Sequence, residues 1–376
     1  MNQRATTQRI EYEPDGFDEY IGCTSLIKKL KVEVKGALHL QKAVRPIFFF
    51  GAPGTGKTTL ALLVSKMRKA RCIVLHGSRI KKADLDILFR ARADATTPES
   101  RMLSLEGEAK RDPVTKKWVF GPTGEPRPTT FCLFDECERI GRDLFQSIYP
   151  AIPTGDEPAT YYTDFRGTQS KFFVPAWTPV FITNHPEVAI KNACGLFDPS
   201  GRCAIHHHFS HYANSEIETI ISQFARKNKI TIDDEAVELV AVRSQGTPRQ
   251  ALHAFNNAWL YLCSQQFDNP KTSSRITRQT VVESMALEGL DEAGLGPNQR
   301  EYLTVLANER DGTMALPSLV AKLASTKQNV EQTIEPILVR TDMVRISGAG
   351  RSITDKGREH IQGLNSDSLI PNTRIE

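Results

Sequence analysis

Between Ser25 and Leu40 apolar residues recur at three- and four-residue steps, which predicts an amphipathic helix. Pro46 then leads into Ile47, Phe48, Phe49 and Phe50, an unbroken apolar run closed by Gly51 that predicts a buried strand. GAPGTGKTTLALLVSKM returns to helical spacing, RCIVLHG to strand character, and KKADLDILFRARAD to helical spacing again. Strands alternating with helices predict a parallel sheet with crossover helices. From about Thr96 to Pro128 the periodicity lapses around Lys110-Arg111, Lys116-Lys117 and GPTGEPRP, predicting an inserted surface loop or hairpin. The sheet resumes with FCLFDE and continues through a helix containing LFQSIYPAI. Beyond a Gly-, Pro- and Tyr-rich segment, the strand VFITN and a further core strand AIHHHF complete it.

From about Asn214 the chain reads as helical, with SEIETIISQFARKN, DDEAVELVAVRSQ and PRQALHAFNNAWLYLCSQQ forming a separate bundle. Gly294 to Pro297 marks a second boundary. Three further helical patterns follow, NQREYLTVLANE, LPSLVAKLA and NVEQTIEPILV, and then the hairpin signal VRISGAGRSIT; three helices and a β-wing are a winged-helix pattern. The predicted organisation is α/β: a polar leader over 1–16, a parallel-sheet domain over 17–213 with its insertion at 96–128, a helical domain over 214–296, a winged helix over 297–362, and a frayed tail over 363–376. There is no internal repeat or low-complexity tract.

The 376 residues are 40% hydrophobic and 24% charged, an ordinary globular composition that argues against disorder. A net charge of +4 is too small to diagnose a nucleic-acid binder, so any DNA site has to be a local patch. The seven cysteines are scattered, with no CxxC pair, and read as reduced thiols. The polar N-terminus carries no signal-like apolar segment and no apolar run is long enough for a bilayer, so the expectation is a cytoplasmic protein without a membrane partner.

GAPGTGKTT, Gly51 to Thr59, matches GxxxxGK[ST] in its diagnostic setting between a strand and a helix. Small residues let backbone N–H groups close around phosphate oxygens, Lys57 brings charge to the β and γ phosphates, and Thr58 offers a hydroxyl to Mg²⁺. FCLFDECERI puts Asp135 and Glu136 at a strand end, Asp135 suited to the metal's water shell and Glu136 to polarising an attacking water. Asn184, with Thr183 beside it, ends another strand and either orients that water or forms a turn. In GTPRQA, Pro248 opens a helix and Arg249 projects from its start, towards a phosphate or towards solvent. Arg202 precedes the AIHHHF strand, either at a subunit edge facing a neighbour's γ phosphate or as a solvated loop arginine. His206, His207, His208 and His211 do not read as a metal site, because adjacent strand residues point to opposite faces.

Together these motifs resemble the RuvB family of AAA+ ATPases, motors of Holliday-junction branch migration, from FDEYIGC at Phe17 to about Ile361. HGSRIKKADLDIL, LFDECERI, QSIYPAI, RCAIHHHFSHY and GTPRQA are similar to family segments in the same order. The resemblance implies a phosphate site of Gly51, Pro53, Gly54, Thr55, Gly56, Lys57, Thr58 and Thr59, with Mg²⁺ at Thr58 and Asp135. It implies a base pocket lined by Tyr20, Ile21 and Tyr212, sensor 1 at Asn184 with Thr183, an arginine finger at Arg202, and sensor 2 at Arg249 behind Pro248. It further implies ATP as substrate, a homo-oligomeric and hexameric ring, and branched or duplex DNA as partner. Gly350 and Arg351 fall on the expected wing tip, with Arg345 close by as a third DNA-binding candidate. Residues 297–376 carry ten basic and ten acidic residues, so a protein-docking winged helix stays open as the alternative, within an ATPase switch that loads or remodels a partner. Two departures stand out: the 96–128 insertion, and the segment Thr154 to Pro175, which differs from the family's partner-docking hairpin and argues against a RuvA-type partner.

Overall fold

A computed structural model describes residues 14–40, 42–89, 109–111, 118–120, 130–152, 159–165, 168–174, 177–198, 200–291 and 293–367. Most of the expected leader, most of the 96–128 insertion and the end of the expected tail lie outside the described residues. The described chain divides into two compact units, one reaching Ile220 and including Gly246–Arg249, the other formed by Ile221–Gln245 and the residues from Gln250 onward.

The first unit is built on a fully parallel five-stranded sheet. Helix α1 (Thr24–His39) precedes β1 (Ile47–Gly51), α2 (Lys57–Met67), β2 (Arg71–His76) and α3 (Lys82–Phe89). Within the expected insertion, β3 (Ala109–Arg111) and β4 (Trp118–Phe120) pair antiparallel. Then come β5 (Thr130–Asp135), a 3₁₀ turn at Cys137–Arg139, and α4 (Arg142–Ile148). The segment read only as Gly-, Pro- and Tyr-rich folds into an antiparallel hairpin, β6 (Thr160–Phe165) with β7 (Thr168–Phe173). β8 (Trp177–Thr183), α5 (Pro186–Asn192) and β9 (Ile205–Phe209) complete the unit, and the sheet order is β2-β5-β8-β1-β9.

The apolar runs follow from burial on both faces of this sheet. Phe48, Cys132, Phe134 and Phe181 join Phe145, Trp177 and Phe197 on one side. Ile47, Phe49, Phe131, Leu133, Val180 and Ile182 meet Leu30, Leu60 and Val64 on the other. Each fully buried side chain of this size stabilises the fold by roughly 1.5–3 kcal/mol, so sheet packing rather than helix propensity fixes where the strand ends lie. Tyr161 shows how the hairpin is moored: its ring is buried near Phe89, and its hydroxyl donates to Asp86 Oδ1 at 2.8 Å. No helix among the described residues is long and apolar enough to cross a membrane.

Helix α6 (Asn214–Lys227) leads into the second unit, which continues with α7 (Asp234–Arg243), α8 (Pro248–Asp268) and α9 (Arg278–Leu287) and buries Ile221, Phe224 and Phe255, the last two edge to face. The sequence pattern did not single out α9, whose start is fixed by a capping box between Thr277 and Thr280. The winged helix follows as α10 (Pro297–Ala307), β12 (Thr313–Met314) and α11 (Leu316–Lys322), β10 (Thr231–Ile232) and β11 (Arg275–Ile276) having paired earlier. NVEQTIEPILV, expected as one helix, is instead a helical turn at Lys327–Asn329, a π-helical turn at Val330–Ile334 and α12 (Glu335–Arg340). Pro336 has no N–H to close the regular ladder, which accounts for the widened turn before it. β13 (Val344–Ser347) and β14 (Gly350–Ile353) form the wing, and α13 (Asp355–Asp367) runs on through the first residues of the expected tail.

The wing corrects one expectation. Gly350 pairs with Ser347, so the tip is Gly348-Ala349. Gly350 is required for a different reason than the turn: its φ is +135°, and a Cβ there would lie 2.4 Å from the Met314 carbonyl oxygen. Arg351 faces inward, its Nε donating to Glu335 Oε1 at 2.8 Å and a terminal nitrogen lying 3.5 Å from Glu331 Oε1. Tyr302 donates to the same Glu335 oxygen at 3.0 Å. A buried carboxylate needs these partners, and the arginine is consumed in providing them.

Candidate nucleotide site

Parallel strands present their C-terminal ends on one edge of the sheet, where ligands of open α/β folds bind. Here β5, β8 and β1 are neighbours, so Asp135, the Thr183-Asn184 pair and Gly51 emerge side by side. Gly51 has φ +133°, and a Cβ on it would meet the Phe209 carbonyl oxygen at 2.3 Å, so the loop can leave β1 in this direction only with glycine. Thr55 is fully buried and its hydroxyl donates to the Ala52 carbonyl at 2.8 Å, tying the loop across its own mouth.

Lys57 opens α2 and points back into this loop, donating to the carbonyls of Gly51 at 2.9 Å and Ala52 at 2.6 Å. Burial lowers its pKa to about 8, with Asp135 acting in the opposite sense. Thr58 donates to Asp135 Oδ2 at 3.3 Å, which brings together the two groups expected to face magnesium. Asp135 Oδ1 accepts the Glu136 N–H at 3.0 Å. Glu136 itself holds a left-handed backbone, φ 52°, and its carboxylate lies 3.1 Å from Arg139 Nε. These oxygen donors suit a hydrated divalent cation, which typically takes one or two carboxylates and completes its shell with water and phosphate.

The remaining expected residues are gathered from distant positions. Tyr20 donates to the Gly56 carbonyl at 3.2 Å, Tyr212 to that of Thr55 at 3.2 Å, and the two hydroxyls are 3.3 Å apart. Two aromatic rings thus stand against the phosphate loop, beside a half-buried Ile21. The Arg249 N–H donates to the Gly54 carbonyl at 3.3 Å, so the Gly246–Arg249 segment of the first unit, Pro248 included, lies against the loop. Pro53 is exposed and Thr59 half-buried in that same loop. Thr183 accepts the His185 N–H at 2.9 Å, leaving the half-buried Asn184 as the polar side chain that closes β8.

Arg202 sits elsewhere. Its guanidinium donates to the carbonyls of Tyr149 at 2.6 Å and Ile152 at 3.1 Å and lies 4.3 Å from the centroid of the Tyr149 ring. The histidine run makes packing contacts: His206 meets Phe48 edge-on, His207 meets Phe209 edge-on, and His208 lies tilted against Phe50. Among the described residues no three His, Cys, Asp or Glu side chains converge to hold an ion.

One acid beside the motif escaped the sequence reading. Glu138 lies on the 3₁₀ turn after β5; its Oε2 is buried without a hydrogen-bond partner, and its charge acts on Lys57 together with that of Asp135. The signal was present in DECE, where an acid follows Asp135 by three residues.

Comparison with known proteins finds family matches at both ends of the chain. Residues 12–92 match the Holliday junction DNA helicase RuvB P-loop domain, and residues 292–362 the RuvB C-terminal winged helix domain. The Holliday junction branch migration complex subunit RuvB of Wolbachia sp. subsp. Drosophila simulans (strain wRi) is 26% identical over 366 residues, covering 94% of this chain and 95% of the relative. Its counterpart from Prochlorococcus marinus (strain NATL2A) is 24% identical, covering 94% and 87%. The solved Thermotoga maritima RuvB Holliday junction branch migration motor shares the fold at a TM-score of 0.66 and 22% identity, over 94% of this chain and 99% of that one. With the loop and the winged helix each matching the same family in the same order, and relatives spanning nearly the whole length, the chain is similar to the RuvB family of AAA+ ATPases from end to end, as a distant relative.

Proposed function

We propose that this protein is an ATP-driven DNA motor that couples hydrolysis to translocation of duplex arms and so moves the branch point of Holliday junctions or related branched DNA. The observation that carries the reading is the meeting of the α2 start, Lys57 and Thr58, with Asp135 and Glu136 at the end of β5, Thr58 donating to Asp135, within a chain whose relatives are named as branch-migration subunits. On this reading the loop Gly51–Thr59 wraps the phosphates, and Lys57 turns from its own loop carbonyls to the β and γ phosphates. Thr58 and Asp135 hold Mg²⁺, which supplies charge neutralisation at the phosphates. Glu136 leaves Arg139 and takes the proton of the attacking water, while Asn184 orients that water and Thr183 holds the strand end. Tyr20, Ile21 and Tyr212 enclose the base, Arg249 reaches the phosphates from the α8 start, and Arg202 serves a neighbouring subunit's site in a homo-oligomeric, hexameric ring. The setting is the cytoplasm, where such a motor meets DNA.

A second reading, an ATPase switch that remodels a partner protein, is favoured by one observation. Several winged-helix cations already have acidic neighbours: Lys322 with Glu309, Arg345 with Asp342, and Arg351 with Glu335 and Glu331. Cations paired in this way have less to offer a phosphate backbone.

The two readings separate on a labelled synthetic four-way junction incubated with the purified protein, using Glu136→Gln as control. A motor converts the junction into two duplexes only with hydrolysable ATP, and its ATPase rises with DNA. Glu136→Gln should retain ATP and lose both activities by a factor of ~10²–10⁴. No conversion, with an ATPase indifferent to any DNA, would transfer the assignment to the remodelling switch.

A further inference from the structure

We propose that Glu138 is a positioning residue for the cation that accompanies the nucleotide, its buried carboxylate oxygen accepting a hydrogen bond from a water of that ion's shell. The proposal rests on the ATP reading above and extends it to a residue outside the phosphate-loop and strand-end motifs.

Three observations converge. The backbone of the 3₁₀ turn is held from outside, since Asn192 Nδ2 on α5 donates to the carbonyls of both Glu138 and Ile140 at 3.3 Å. The preceding residues are equally fixed: the Gly77 N–H donates to the Asp135 carbonyl at 2.7 Å, and a Cβ on Gly77 would lie 2.2 Å from the Glu136 carbonyl oxygen. Glu138 is therefore presented by a turn with little freedom to retreat. Its Oε2 is nonetheless buried with no donor. Folded proteins seldom leave a buried carboxylate oxygen unsatisfied, because the lost hydration is not returned. The group belongs electrostatically to the phosphate site, because its negative charge, like that of Asp135, reaches Lys57.

The missing donor is then one that arrives with the ligand. Lys57 is committed to the carbonyls of Gly51 and Ala52, and Thr58 to Asp135. A magnesium ion keeps several of its waters, each a strong donor, when held by only one or two carboxylates. Outer-sphere acceptors of this kind orient the ligand shell and tune metal affinity. Among the described residues the other buried side-chain donor or acceptor without a partner, Arg68 Nε, sits at the far end of α2, where the same guanidinium already reaches the Lys42 carbonyl at 3.1 Å. It therefore has an anchor that Glu138 Oε2 lacks.

The test is nucleotide binding, not turnover. Fluorescent ATP analogue binding to the full-length protein is titrated with Mg²⁺ in wild type, Glu138→Gln and Glu138→Leu, and repeated in EDTA. Loss of the carboxylate should raise the Mg²⁺ concentration for half-maximal binding by ~10-fold or more in both variants. Binding in EDTA should be unchanged or tighter. Thermal melting of the nucleotide-free proteins separates the bland case, since an apolar residue replacing a merely unsatisfied carboxylate should raise the melting temperature while leaving the Mg²⁺ dependence at the wild-type value. That outcome overturns the proposal. If the wild type binds no nucleotide at any Mg²⁺ concentration, it is the ATP reading itself that falls.

Discussion

Lys57 illustrates how a single residue can carry both a folding penalty and a binding function. Buried against its own loop, its pKa falls from 10.5 to about 8. Below about pH 8 the lysine is charged in the folded and unfolded chain alike, and the cost of burying the charge is borne in full. Between pH 8 and 10.5 the unfolded chain holds the extra proton, so this residue's contribution to stability improves as pH rises through that window. Phosphate oxygens reverse the preference by favouring the charged form. Nucleotide binding above pH 8 should therefore take up a proton, and affinity should weaken by up to roughly tenfold per pH unit through the window. Calorimetry in buffers of different ionisation enthalpy measures the uptake directly; the same uptake in Lys57→Met would remove the lysine from this role. At this scale the sequence was most legible where chemistry demands a fixed spacing. Lys57, Thr58, Asp135 and Glu136 were placed by motif, and the structure joins Thr58 to Asp135. The Arg351–Glu335 pairing and the burial of Glu138 Oε2 were not legible, because a charged letter does not say whether its partner is solvent, ligand or another buried charge.

At the scale of elements, the winged helix depends on an ionic contact that the chain's charge count conceals. Glu335 is buried on α12 and Arg351 enters from β14, so the pair fastens the wing to the helix beside the π-helical turn. Arg351→Ala should strand the carboxylate and destabilise the second unit by about 3–5 kcal/mol, seen as an early transition in urea. Arg345 is 73% exposed and pairs with the similarly exposed Asp342, so Arg345→Ala should leave stability within about 1 kcal/mol. If the wing contacts duplex DNA, Arg345→Ala should instead reduce the salt slope of binding by about one. Equal stability of the two variants would refute the anchoring role of Arg351. The helix α2 could be read from its three- and four-residue apolar spacing, and β1, β5 and β8 from unbroken apolar runs, because those strands are buried on both faces of the sheet. The β6–β7 hairpin could not: its alternation is interrupted by polar residues, and what holds it is a tertiary contact, Tyr161 to Asp86. The division of NVEQTIEPILV was hidden for a similar reason, because the apolar pattern continues through Pro336 although the hydrogen-bond ladder does not.

For the whole molecule, the decisive residue is Arg202, because a trans-acting finger and a cis-acting anchor make opposite demands on it. The guanidinium now satisfies the Tyr149 and Ile152 carbonyls on the turn that precedes the hairpin. In a ring it would have to release that turn to reach a neighbour's γ phosphate, so subunit contact and turn geometry would be linked. Arg202→Ala should then lower ATP turnover by ~10³–10⁵-fold, the range of arginine fingers supplied to a phosphoryl-transfer site. Removing the two hydrogen bonds should also cost about 1–3 kcal/mol of stability. The origin of the kinetic loss is settled by mixing. A Lys57→Ala subunit has a dead site but an intact Arg202, whereas an Arg202→Ala subunit has an intact site and nothing to offer its neighbour. Co-assembled, some interfaces combine the good site of one with the good arginine of the other, and ATPase should exceed that of either variant alone. If the mixture gives only the average of the two, Arg202 acts within its own subunit, and its role is to hold the Tyr149–Ile152 turn.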